Sequence, residues 1–170
     1  MSVFISVFTG SCFNDNPRLS VSVAVQFSGK KPVSGYFLYK KDMSSQLADL
    51  ISVKIAVDKF NSDKVVYAKN IYAVNSFGLW LGKWKENKWN GKDNKPIKNK
   101  DVIKYISDKT ASSQLFFSVE LSKNGEQIIF CSHLAKAILT DILSGKTKVF
   151  EPDVIYPINL PEARAEIIDI

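Results

Sequence analysis

Three tryptophans, Trp80, Trp84 and Trp89, fall within a short stretch that is dense in lysine. From Leu81 to Lys104 eight lysines (Lys83, Lys85, Lys88, Lys92, Lys95, Lys98, Lys100 and Lys104) stand against Glu86, Asp93 and Asp101, so this segment carries about +5 of a net charge of +6. Aromatic faces beside ammonium groups are what a nucleic-acid channel requires. Stacking on such rings contributes roughly 1–3 kcal/mol per base, and lysines displace counterions from phosphates. Charge alone is equally consistent with a solvated lysine-rich face. Trp80 could also brace a helix against the core, whereas Trp84 and Trp89, set among lysines, are harder to bury. Arg18 and Arg164 are the sole arginines. Lysine attracts phosphate without reading bases bidentately, so any binding is expected to have little sequence specificity.

Other chemistries are narrowed by what is scarce. His133 is the only histidine, which excludes a His-rich metal site, and nothing around it supports a nucleophile–His pair. Cys12 and Cys131 form neither a disulfide framework nor a zinc-finger spacing. Both are expected in the core of an intracellular protein, cytoplasmic or nuclear. No apolar run approaches the roughly 20 residues that span a bilayer. Met1 to Phe8 lacks the basic region and cleavage site of a signal peptide, so no membrane association is expected. The apolar fraction of 45% and charged fraction of 24% in 170 residues suit one globular domain.

The elements that must position these residues follow from periodicity. Residues 3–9 read as a strand, Leu19 to Phe27 alternates as a second, and Val33 to Tyr39 is a third, which together make a meander. From Ser44 or Ser45 as N-cap, Leu47, Leu50, Ile51, Ile55 and Phe60 recur at helical spacing. Lys64 to Ala68 is a fourth strand, Ile71 to Trp80 a helical stretch, and Asn99 to Ser107 a third helix. Leu115 to Leu121 is a fifth strand and Phe130 to Leu143 a last helix. Residues 144–170, acidic and with three prolines, read as a tail after a domain of residues 1–143. The order βββ-α-β-α-α-β-α predicts an α/β (α+β mixed) fold, a five-stranded mixed sheet flanked by helices.

At the level of motifs the chain resembles type 1 ribonucleases H, whose fold has this element order. Leu79 to Trp89, followed by Gly91 to Asp101, looks like their basic protrusion, where W-x-x-x-W-K-x-N-x-W precedes a Gly-Lys and an Asn-Lys-acid. Val7-Phe-Thr-Gly-Ser-Cys12 resembles the first-strand motif Y-T-D-G-S, and Ser44 to Leu50 resembles T-N-Q-R-A-E-L. Val66 to Asn75 resembles L-Y-T-D-S-x-Y-x-I-N, and Phe130 to Ala135 resembles the final E-x-A-D-x-L-A helix. The resemblance runs from about Val3 to Leu143.

The resemblance implies two-metal hydrolysis of the RNA strand of an RNA–DNA hybrid, which needs several converging carboxylates. Here the matched positions hold Gly10, Asp49, Lys69 and Ser132, and the family's His loop is Asn124-Gly125-Glu126. An ammonium at Lys69 beside two cations would cost on the order of 4 kcal/mol for one pair of unit charges at 4 Å. The expectation is therefore a ribonuclease H-like protein without enzymatic activity and without a metal cofactor; an alternative is a Lys69–Asp49 ion pair that holds the old site shut.

Binding is expected to survive. The resemblance places Tyr72, Trp80 and Trp84 on the channel for the DNA strand, with Lys83, Lys85, Lys88 and Trp89 around them. It places Ser44 and Asn99 in a phosphate pocket near Lys40 and Lys41, although Asp42 stands where the family has Arg and Ser45 where it has Asn. The partner expected is nucleic acid: hybrid, duplex or single strand. Two alternatives are a protein scaffold that binds a partner through Tyr156 to Pro161 and the acidic end, and a residual nuclease with a displaced metal site. The Lys/Asn-rich, Arg-poor usage suits an AT-rich genome, viral or from a mobile element.

Overall fold

A computed structural model describes residues 5–15, 18–29, 31–60, 64–68, 71–111, 115–119, 125–145 and 150–160. Strands β1 (Ile5–Asp15), β2 (Arg18–Ser28) and β3 (Lys31–Lys41) lead into helix α1 (Ser45–Lys59) and strand β4 (Lys64–Ala68). Helix α2 (Ile71–Asn75) continues through a π-helical turn (Ser76–Trp80) into α3 (Leu81–Glu86). Then come α4 (Lys100–Thr110), β5 (Leu115–Val119), α5 (Glu126–Ser144) and β6 (Tyr156–Pro157). The sheet runs β5-β4-β1-β2-β3-β6. The meander is antiparallel, and β4 lies parallel to both β1 and β5.

Strand β2 shows why the sheet carries a layer on each face. Its alternate residues Leu19, Val21, Val23, Val25 and Phe27 pack with Ile128, Cys131, Leu134, Ala135 and Leu139 of α5. A period of two sends Ser20, Ser22 and Ala24 to the other face, where all three are fully buried. Small side chains there let α1 lie close. The Ser22 hydroxyl donates to the Ala48 carbonyl at 2.6 Å, and Ser52 donates to the same oxygen at 3.2 Å. Helix α1 buries Leu50, Val53, Ile55 and Ala56 in a second core with Ile103 and Ile106 of α4.

Helix α5 is long and apolar enough to cross a bilayer by length and composition, but its apolar stripe is the one packed on β2. It begins at Glu126 rather than at Phe130 and ends at Gly145, whose φ of 68° closes the helix as glycine readily does.

Among the described residues the sheet has six strands where five were expected. Residues 150–160, read from sequence as part of a tail, lie along β3. Ile158 N–H donates to the Gly35 carbonyl and Asp153 N–H to the Tyr39 carbonyl, each at 3.0 Å. Phe37 stacks on Tyr156 with centroids 5.5 Å apart and meets the edge of Phe150 at 5.1 Å. The Tyr39 hydroxyl donates to the Phe150 carbonyl. Burial, with Tyr156 and Glu151 nearby, holds its phenol above the ordinary value. Leu160 is buried in the core beneath α5. A proline cannot donate to a ladder, so Pro157 is tolerated on this outermost strand. The apolar residues that the scaffold reading offers to a partner, Tyr156, Ile158 and Leu160, are packed against the chain's own sheet.

Candidate nucleic-acid interface

The protrusion is built on one helical run. Tyr72 and Trp80 are eight residues apart, which in a regular α-helix sets two side chains roughly 80° apart around the axis. The π-helical turn between them holds an extra residue, so they align as residues about seven apart would, on one face. Their ring centroids lie 5.9 Å apart, and Trp80 and Trp84, one turn on, lie 5.6 Å apart. The buried Ser76 anchors the turn by donating to the Tyr72 carbonyl at 2.8 Å.

Helix α3 then stops on a left-handed cap. Trp89 N–H donates to the Trp84 carbonyl at 2.6 Å and Lys88 N–H to the Lys85 carbonyl at 3.2 Å. Lys88 has φ 51° and Trp89 φ 64°. This is the hydrogen-bond pair of a Schellman cap, in which the residue beyond the cap meets the third-last helical residue through an apolar contact. Trp84 and Trp89 hold those two places, and both pack against the α1–α4 core. Trp84 and Trp89, read from sequence as harder to bury, are thus the ones packed against that core, whereas Trp80, which could equally have braced the helix, stands outside that core set, between Tyr72 and Trp84.

The loop after the cap folds back on itself. Ile97 N–H donates to the Trp89 carbonyl at 3.1 Å, and Gly91 N–H to the Lys95 carbonyl at 2.8 Å. The Asn87 amide spans the turn, donating to the carbonyls of Asn90 at 3.0 Å and Gly91 at 3.1 Å. A groove of about 550 Å³ is lined by Trp80, Lys83, Trp84 and Asn87 and by Asn90, Gly91 and Lys92. Lys83, Lys85, Lys88 and Lys92 are all exposed. Among the groove residues, Asn87 and Asn90 were not singled out from the sequence. Asn87 fills the Asn of the W-x-x-x-W-K-x-N-x-W motif, the signal that could have found it, whereas Asn90 has only its position between Trp89 and Gly91.

The RNase H family matches residues 4–120, more than two thirds of the chain. The chain belongs to the RNase H family. A ribonuclease H of Schizosaccharomyces pombe is 28% identical over 95 residues, covering 56% of this chain and 31% of that protein. One from Wigglesworthia glossinidia brevipalpis is 29% identical over 83 residues, covering 47% and 52%. The match thus spans about a third and about half of those two relatives' lengths. A foamy viral protease–reverse transcriptase in complex with RNA/DNA hybrid superposes with a TM-score of 0.70 at 18% identity, covering 78% of this chain and 19% of that one. LC9-RNase H1, a type 1 RNase H with the type 2 active-site motif, also gives 0.70, at 13% identity, covering 97% and 82%.

These relatives correct one expectation. A protein without enzymatic activity was expected, but the relatives are named ribonuclease H and point to an enzyme.

Of the positions that carried that expectation, Gly10 lies on β1 opposite Val23. Asp49 on α1 and Ser132 on α5 are half-buried. Lys69, and with it the Lys69–Asp49 pair, lies outside the described residues. Among the described residues no group of three or more His, Cys, Asp or Glu is placed to hold a metal ion. Asp49 by itself does not fit a pair of hard cations, which take several oxygen donors each.

The two expected phosphate-pocket residues each start a helix. The Ser44 hydroxyl caps α1, accepting from Leu47 N–H at 3.2 Å, and so keeps its own proton to donate. Asn99 precedes α4 with φ 59°, and its side-chain nitrogen is buried without a hydrogen-bond partner among the described residues. Lys40, expected beside them, is paired with Asp153 at 2.8 Å.

Proposed function

We propose that this chain is a nucleic-acid-binding member of the RNase H family that takes RNA–DNA hybrid along its protrusion with little sequence specificity. The observation that carries this reading is the Tyr72–Trp80–Trp84 ladder opening onto a lysine-rimmed groove. Rings supply stacking faces, and the exposed Lys83, Lys85, Lys88 and Lys92 supply phosphate attraction. Trp89 contributes by holding the cap on which these lysines sit. In this reading Ser44, whose hydroxyl keeps a proton to donate, and Asn99 at the start of α4 bind a backbone phosphate. Nearly arginine-free, the surface attracts phosphates and leaves base edges unread. The hybrid in the foamy viral neighbour's complex supports that choice of duplex.

The test is binding to hybrid, double-stranded RNA and single-stranded DNA at two salt concentrations with Mg²⁺ present, the strands then being resolved on a gel. Hybrid binding that weakens steeply with salt is the expected result, and the gel reads whether the RNA strand is cut, the activity for which the relatives are named. Absence of binding to every probe at low salt would sink the proposal.

A further inference from the structure

We infer that Asp153 is a built-in competitor for phosphate: carried on the segment 150–160, it engages Lys40 and so lowers the affinity of this chain for nucleic acid. This rests on the hybrid-binding reading and names a residue that tunes it.

Lys40 lies near the end of β3, four residues before Ser44, the N-cap of α1. Along β3 a period of two sorts the side chains between the two cores. Phe37 and Tyr39 pack in the α5 core, whereas Tyr36 and Leu38 pack in the α1–α4 core. Lys40 continues the second set, on the face where α1 begins and where Ser44 is read as a phosphate ligand.

That ammonium is already engaged. Lys40 Nζ donates to Asp153 Oδ1 at 2.8 Å, and the backbone holds the carboxylate in place. Asp153 has φ 65°, a left-handed conformation that turns the chain, and its N–H donates to the Tyr39 carbonyl at 3.0 Å, one residue from Lys40. Beyond this turn Tyr156 stacks on Phe37, Ile158 N–H donates to the Gly35 carbonyl, and Leu160 is buried. Carboxylate and phosphate oxygens accept from the same donor, and this carboxylate is supplied by the chain itself. Both side chains of the pair are solvent-accessible, so the contact is weak enough to exchange. An arriving phosphate must displace Asp153 or do without Lys40, and either lowers the net affinity.

The experiment measures binding of an RNA–DNA hybrid by anisotropy across a salt series, with the full chain and three variants. Asparagine tolerates a left-handed backbone, so Asp153→Asn keeps the turn while removing the charge, and circular dichroism checks that it is folded. It should bind roughly fivefold more tightly at low salt, the scale of one exposed ion pair. The slope of log affinity against log salt should steepen by about 1, for one more phosphate neutralised. Adding Lys40→Ala to Asp153→Asn should remove both gains. Glu151→Gln removes an exposed acid from the same segment and should leave affinity unchanged. An equal gain from Glu151→Gln would mean that net charge alone is felt, and a gain that survives Lys40→Ala would mean that another group takes the phosphate. Either overturns the inference. So does an Asp153→Asn variant that binds as the unaltered chain does, and in that case hybrid binding itself still stands. Failure of every form to bind would overturn both.

Discussion

Two aromatic clusters in this molecule have similar internal geometry and different surroundings. At the β3 edge, Phe37, Phe150 and Tyr156 meet with centroids 4.8–5.5 Å apart. On the protrusion, Tyr72, Trp80 and Trp84 meet at 5.6–5.9 Å. At the edge several of the nearby polar groups have partners within the chain. Tyr39 donates to the Phe150 carbonyl, the Tyr156 hydroxyl accepts from Glu151 N–H at 2.9 Å, and Lys40 meets Asp153. On the protrusion Lys83, Lys85, Lys88 and Lys92 extend into solvent and the rings border an open groove. Ring contact by itself does not separate a scaffold from a binding surface. What separates them is whether the charges and donors around the rings are already satisfied.

The largest expected effect strips the protrusion of its free charge. Replacing Lys83, Lys85, Lys88 and Lys92 together by alanine should reduce the slope of log affinity for hybrid against log salt by up to about 4, near one for each phosphate left without its lysine. An unchanged slope in a salt titration would place the phosphates elsewhere and break the contrast.

Next come the two clusters exchanged as targets. Phe150→Ala should cost about 2–3 kcal/mol of stability in urea unfolding, since it empties the seam that holds residues 150–160 to β3. Hybrid affinity should stay unchanged. Trp80→Ala should do the reverse, weakening binding by about 1–3 kcal/mol with only a small change in stability. If both variants lost stability alone, the protrusion rings would be scaffold too.

A smaller effect tests the cap. Lys88 adopts a left-handed conformation in which glycine is unstrained, so Lys88→Gly should raise stability by about 1 kcal/mol while lowering hybrid affinity slightly through removal of one charge. A fall in stability would mean that the Lys88 side chain has a structural role. The smallest effect on stability is expected at the β3 edge. The side chains of Lys40 and Asp153 are 37% and 59% exposed, so Asp153→Asn should change stability by no more than about 0.5 kcal/mol.

The legible parts of this chain are those in which local pattern and tertiary environment agree. Alternation from Leu19 to Phe27 announced β2 because each second residue meets the same helix. The serine pair at 44 and 45 announced the start of α1, and the Ser44 hydroxyl is the one that satisfies a free N–H. The Trp/Lys motif located the protrusion. It did not tell which tryptophan is braced, because burial of Trp84 and Trp89 depends on a cap whose left-handed residues, Lys88 and Trp89, carry no glycine signal. Nor did periodicity locate β6, a two-residue strand stabilised by contacts to β3 that are remote in sequence.

By itself the sequence determined the element order, the family motifs and the concentration of positive charge, since each depends on residue type and spacing along the chain. Tertiary structure decided the alignment of Tyr72 with Trp80, the shape of the groove, and the docking of residues 150–160 on the sheet. Those features arise from an extra residue in one helical turn, from backbone angles that lysine and tryptophan seldom adopt, and from side chains more than a hundred positions apart meeting across an edge. No local pattern encodes these.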